Sequence, residues 1–186
     1  FEEADLIKKI GVIFSGMSTA QKEGKRATKE HQDIPKIHVK YKDSDQTHLV
    51  LGVRALNMFD PRKYALQVMG DILGGGMGSR LFQVIREELG AAYYVKADVD
   101  LMTDHGFIAA WIGSDHEKLP RVIEATMGEF KKISEQPVGV DELQRAKDHL
   151  AGGLILGIET TDALASFYGD QEITKKTIVT PEEVIE

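Results

Sequence analysis

Leu73-Gly74-Gly75-Gly76-Met77-Gly78-Ser79-Arg80-Leu81-Phe82-Gln83-Val84-Ile85-Arg86-Glu87-Glu88-Leu89-Gly90-Ala91-Ala92-Tyr93 holds two changes of local structure in one short span. The triple glycine stops the helix that runs into it, since glycine is a poor helix former and permits tight corners. Leu81, Phe82, Val84, Ile85 and Leu89 then recur at helical spacing and predict a second helix over about 78–89. Gly90 ends that helix. The chain passes at once into a β-rich run over 92–99.

Upstream, Asp60-Pro61 opens a helix: Asp60 suits the cap and Pro61 the first turn. Ala65, Leu66, Val68, Met69, Ile72 and Leu73 form its buried stripe. Before it, residues 47–54 are near-continuously apolar and predict a strand in an interior position of a sheet. Ile37, Val39 and Tyr41 alternate with Lys36, His38 and Lys40, which predicts a half-buried strand over 36–42. Residues 15–35 read as a long polar surface connection, with 22–30 highly charged, and residues 3–14 have rough helical spacing.

Downstream, residues 106–112 form a second β-rich run, expected to pair antiparallel with 92–99. Leu119, Val122, Ile123, Thr126, Phe130 and Ile133 place a helix over 116–134, which Pro137 and Gly139 break. Asp141 and Glu142 favour the positive end of a further helix through Leu143, Ala146, Leu150 and Leu154, with more helix to about 167. The order α-ββ-αα-ββ-αα predicts an α+β fold, a largely antiparallel sheet with helices packed on one face.

The 186 residues suit one domain and need no disulfides or metals to make a core. There is no Cys, hence no disulfide framework and no thiolate site. Lys and Arg number 23 against 30 Asp and Glu, a net charge of −7 that argues against nucleic acid and against anionic membrane surfaces. No apolar run reaches the ~18 residues of a transmembrane helix. Thr180-Pro181-Glu182-Glu183 is a capped helix start with only three residues after it. That pattern predicts that residues 1–186 are a truncated part of a longer polypeptide.

The six histidines stand at 31, 38, 48, 105, 116 and 149, and no two are three or four apart, so no helix face presents a pair of imidazoles. No metal site and no cofactor site are expected within this chain. The glycine run lacks the preceding strand and the Gly-Lys-Ser/Thr ending of a phosphate-binding loop. It reads first as a tight helix-to-helix corner, where glycine gives positive φ and close approach. A substrate-facing loop at Gly75, Gly76 and Met77 is the remaining functional reading. Arg86 lies near the end of its helix and Tyr93 on the strand that follows Gly90. Guanidinium and phenol can meet at one edge of the domain, and both are donors of the kind that stabilise a developing oxyanion. A helix-capping Arg and a sheet-packed Tyr are the plainer alternative.

Residues 73–83, then Ile85-Arg86-Glu87 and Gly90-Ala91-Ala92-Tyr93, resemble the pitrilysin/insulinase family of zinc peptidases. Gln46-Thr47-His48-Leu49-Val50-Leu51-Gly52, Asp141-Glu142-Leu143-Gln144-Arg145-Ala146-Lys147 and Thr180-Pro181-Glu182-Glu183-Val184 extend the resemblance over nearly the whole chain. It implies two homologous α+β halves that close like a clamshell. The first half would hold zinc through H-x-x-E-H and a distal Glu; the second would bring an Arg and a Tyr seven residues apart to the substrate. Arg86 and Tyr93 match that spacing. By this resemblance the chain is the second, non-zinc half of an endopeptidase for unstructured peptides and is inactive alone. Zinc is expected in the missing N-terminal half. The partners implied are a peptide and that half, and an orphaned half leaves self-association open. Tyr94 is a second phenol beside the first, and Ala91 and Gly78 depart from commoner residues at their positions. A non-catalytic scaffold or partner subunit is the alternative function, and a bacterial cytoplasmic setting the simplest compartment.

Overall fold

The three strands of the sheet, β1 (Thr47–Ala55), β2 (Ala92–Leu101) and β3 (Gly106–Ser114), lie in the order β1-β3-β2, all antiparallel. The computed structural model describes residues 2–18, 24–174 and 177–186. The chain divides into two units, Phe1–His31 and Gln32–Glu186. The first contains α1, Glu3–Phe14, where the apolar spacing of residues 3–14 placed a helix. None of its residues is buried. The charged connection read over 22–30 falls partly outside the described residues; 24–30 are exposed and irregular.

The second unit runs β1 (Thr47–Ala55), α2 (Lys63–Gly74), a π-helix (Phe82–Glu88), β2 (Ala92–Leu101), β3 (Gly106–Ser114), a 3-10 turn (His116–Lys118), α3 (Leu119–Glu135), α4 (Val140–Gly157), α5 (Thr161–Thr174) and α6 (Pro181–Ile185). This is the α+β fold read from the sequence. Leu49, Ile112 and Val95 share the inner sheet face, followed by Leu51, Ala110 and Ala97. Ile112, Ala110 and Ala97 build the core with Leu73, Leu81, Ile85, Ile108 and Val122, and Leu49 and Val95 pack against it. Each Leu or Ile fully buried there contributes ~1.5–3 kcal/mol relative to exposure.

Two strand expectations are corrected. Residues 36–42 form no strand, and Ile37, Val39 and Tyr41 are among the most exposed apolar side chains of the chain. Alternation alone does not make a strand; the segment lies against no edge of the described sheet and finds no apolar face. The run over 47–54 is an edge strand, and β3 takes the interior position because it pairs with β1 on one side and β2 on the other. The helix expected over 78–89 is also altered: its body is a π-helix, closed by Leu89 N–H to Val84 C=O at 3.0 Å. The wider turn keeps Leu81 and Ile85 in the core and swings Leu89 outward.

The glycine corner works by close approach rather than by positive φ, since Gly90 (φ 55°) is the only positive-φ glycine among the described residues. A Cβ at Gly74 would run into the Ala97 main-chain nitrogen and lie 2.5 Å from Ala97 Cβ, so α2 can seat on β2 only with glycine there. Arg80 then pins the corner to α4 through two 2.7 Å hydrogen bonds to Glu142. The capped start read at Thr180 is present: Thr180 Oγ1 accepts from Glu183 N–H and Glu183 Oε2 from Thr180 N–H.

Candidate functional site

The π-helix delivers Arg86, and Gly90 turns the chain into β2, where Tyr93 sits. Ala92 pairs with Ser114, and Tyr94 with Gly113, the next residue along β3. Tyr93 is therefore the extra residue of a β-bulge. A bulge frees a side chain from the alternation of its strand and re-aims it. Arg86 Nη1 donates to the carbonyl oxygens of Ala92, at 3.1 Å, and Tyr93, the two peptide groups of the bulge. Its guanidinium also stands 5.9 Å from the Phe82 ring.

The Tyr93 hydroxyl donates to Asp115 Oδ1 at 2.8 Å, and Tyr93 is 56% exposed. That bond and the negative charge of Asp115 raise the phenol above its ordinary pKa. Asp115 is lowered in turn, first by the Tyr93 bond and then by Lys118. The residue beside Asp115, Ser114, is fully buried and donates to Ala91 C=O at 2.6 Å, closing the sheet end beneath the bulge.

Tyr94 keeps the regular register. Its ring lies over Gly113, where an added Cβ would come within 2.7 Å of Tyr94 Cδ1, and its hydroxyl meets His48 Nδ1 at 3.1 Å. The two adjacent phenols thus have different surroundings, and only Tyr93 is the bulged one.

Gly75, Gly76 and Met77 form the corner between α2 and the π-helix. Gly75 N–H donates to Asp71 C=O, Gly76 C=O accepts from Ser79 Oγ, and Met77 C=O accepts from Gln83 Nε2. Met77 is exposed. Among the described residues no hydrogen bond joins this corner to Arg86 or Tyr93. Asp115, Lys118 and the bulge itself escaped the sequence reading. The residue pattern carries no bulge signal, and Asp115 lies 22 positions from the tyrosine it binds.

Among the described residues no group of three or more His, Cys, Asp or Glu side chains is placed to hold a metal ion. No single helix among them is long and apolar enough to cross a membrane.

The family model described as the peptidase M16 inactive domain matches residues 1–150. An uncharacterised zinc protease of Mycobacterium tuberculosis is 33% identical over 139 residues, covering 75% of this chain and 32% of that protein. A protein of the same description from Rickettsia bellii is 29% identical over all 186 residues and 44% of its own length. The chain thus spans about a third to under a half of these relatives. Among solved structures, a conserved protein from Enterococcus faecalis matches the fold with TM-score 0.78 and 24% identity, over 100% of this chain and 43% of that one. A peptidase M16 inactive domain from Pseudomonas fluorescens matches with TM-score 0.56 and 25% identity over 76% of this chain and 37% of its own.

Proposed function

The chain belongs to the peptidase M16 family as a C-terminal domain of the inactive type, and on that premise we propose that it presents Arg86 and Tyr93 to the peptide in a two-part zinc endopeptidase whose metal-bearing half lies outside these residues. The observation that carries this reading is the bulge at Tyr93, gripped by Arg86 through the Ala92 and Tyr93 carbonyls. Packing does not call for such a device, because an exposed phenol adds little to a core; re-aiming a donor does. When a peptide carbonyl is attacked, charge grows on its oxygen. A phenol O–H fixed beside that oxygen donates a hydrogen bond that strengthens as the charge develops. Asp115 keeps the Tyr93 proton in place. Arg86 Nη1 holds the main chain of the bulge, which leaves Nε and Nη2 for a substrate carbonyl.

A peptide-binding role, a partner half that carries zinc, and a bacterial cellular setting follow from the same premise and are part of the proposal. The second reading is a non-catalytic scaffold. What favours it is that the Tyr93 proton and Arg86 Nη1 are both engaged within the chain.

The two separate in one assay. The full-length protein carrying this chain is incubated with an unstructured fluorogenic peptide, with and without a chelator. Cleavage that the chelator abolishes, and that residues 1–186 alone do not perform, is the expected result. No cleavage by the full-length, zinc-loaded protein favours the scaffold.

A further inference from the structure

We propose that Asp115, braced by Lys118, is the positioning residue for Tyr93: it orients the phenol at the bulge and accepts its hydrogen bond until a peptide carbonyl oxygen takes that place. This rests on the function proposed above and adds a residue to it.

A bulged, half-exposed tyrosine has no directly opposed residue to fix its ring. Its one described side-chain partner is Asp115 Oδ1, at 2.8 Å. Asp115 is itself well held. It follows the buried Ser114 at the end of β3, and its Oδ2 meets Lys118 Nζ at 3.1 Å. Lys118 Nζ also donates to Gly90 C=O at 2.9 Å. Gly90 is the turn that leads from the π-helix into β2, so the bracket closes on the same short segment that Arg86 grips.

The bracket makes the exchange of partners easy. Turning the Tyr93 proton from Asp115 to an arriving carbonyl oxygen needs only rotation of the hydroxyl. The carboxylate left behind keeps the Lys118 ammonium, so no charge is stranded. No bond to carbon forms or breaks in this step, and the proton stays on Tyr93. The ionisable groups that face the pair are Lys118 and His116 from the turn after β3 and Asp45 from the loop before β1.

The test uses the full-length protein with isotope-labelled tyrosine, the Tyr93 resonance being assigned by its loss in Tyr93→Phe. Asp115→Asn should lower the titration midpoint of Tyr93 and leave Tyr94 in place. It should also lower kcat on an unstructured peptide with KM unchanged, by less than loss of the phenol itself, and Asp115→Glu should restore part of both. Lys118→Met should move the Tyr93 midpoint upward, the opposite direction, which general damage to the fold would not do. An unmoved Tyr93 midpoint in Asp115→Asn overturns the proposal. So does a lowered midpoint with wild-type kcat. If the wild-type protein cleaves no peptide, the shift in midpoint still reports the contact. The enzymatic reading has then failed separately, and the role of Asp115 in the reaction falls with it.

Discussion

Arg86 and Tyr93 are joined through the main chain: the Arg86 guanidinium donates to the Tyr93 carbonyl oxygen, while the Tyr93 hydroxyl reaches Asp115. Seven positions separate the two residues, and the Arg fixes the peptide groups from which the Tyr projects. One residue sets the backbone of the bulge and the other uses it. Both carbonyls accept from the one Nη1, so what lysine lacks is the reach of the longer side chain and the further N–H groups that the guanidinium keeps for a substrate. In the full-length protein Arg86→Ala should therefore lower kcat on the order of a hundredfold. Arg86→Lys should cost nearly as much. Wild-type kinetics in Arg86→Lys would show that a point charge suffices and that the grip on the bulge is incidental.

Gly90 has φ 55° and links the π-helix to β2. An alanine there adopts a left-handed conformation at a cost of about 1–2 kcal/mol, whereas asparagine tolerates it better. Chemical denaturation should rank wild type above Gly90→Asn and Gly90→Asn above Gly90→Ala. Equal stabilities would mean that the turn relaxes away from positive φ.

Gly74 and Gly78 sit in one glycine-rich run and should respond oppositely. Gly74→Ala drives a methyl into the Ala97 backbone, and overpacking of this kind costs about 1–3 kcal/mol or more. Nothing stands within 4 Å of a Cβ added at Gly78, so Gly78→Ala should be neutral or slightly stabilising. Thermal melts of the two variants check this directly, and a stable Gly74→Ala would contradict the close seating of α2 on β2.

Glu142 is held below the ordinary glutamate range, first by its hydrogen bonds to Arg80. A carboxylate depressed in the folded state stabilises the protein above its unfolded pKa, and that stability is lost as pH falls through the folded value. Stability should therefore decline as pH is lowered below the usual carboxylate range, and Glu142→Gln should flatten part of that decline. At neutral pH the variant should lose about 1–2 kcal/mol, between the values of exposed and buried pairs. Identical pH profiles would show that the pair adds nothing.

The helices that were legible each carry a periodic stripe and a stop; α5, Thr161–Thr174, has no such stripe, buries only Gln171, and was read merely as more helix to about 167. Leu66 to Leu73 ends at glycine, and Leu119 to Ile133 ends before Pro137. The β2–β3 hairpin was legible for a similar reason, being local in sequence. What failed was non-local. Whether residues 47–54 lie at the edge or the centre depends on which strand pairs with which, and β3 joins β1 from more than fifty positions away. Ile37, Val39 and Tyr41 carry a strand's alternation, yet alternation does not name a partner. At the site, spacing indicated Arg86 and Tyr93. It could not indicate the bulge, which arises from a one-residue slip against Ser114 and Gly113, nor Asp115 on the far side of the hairpin.

The most direct test of the central claim is turnover of an unstructured peptide by the full-length protein bearing Tyr93→Phe, with zinc content measured on the same sample. Removing a single donor to a developing oxyanion costs about 10²–10³ in kcat. The expected result is a loss of that size with metal content unchanged and with Tyr94→Phe much nearer wild type. Wild-type turnover in Tyr93→Phe would contradict the assignment of this domain to the chemistry of peptide cleavage.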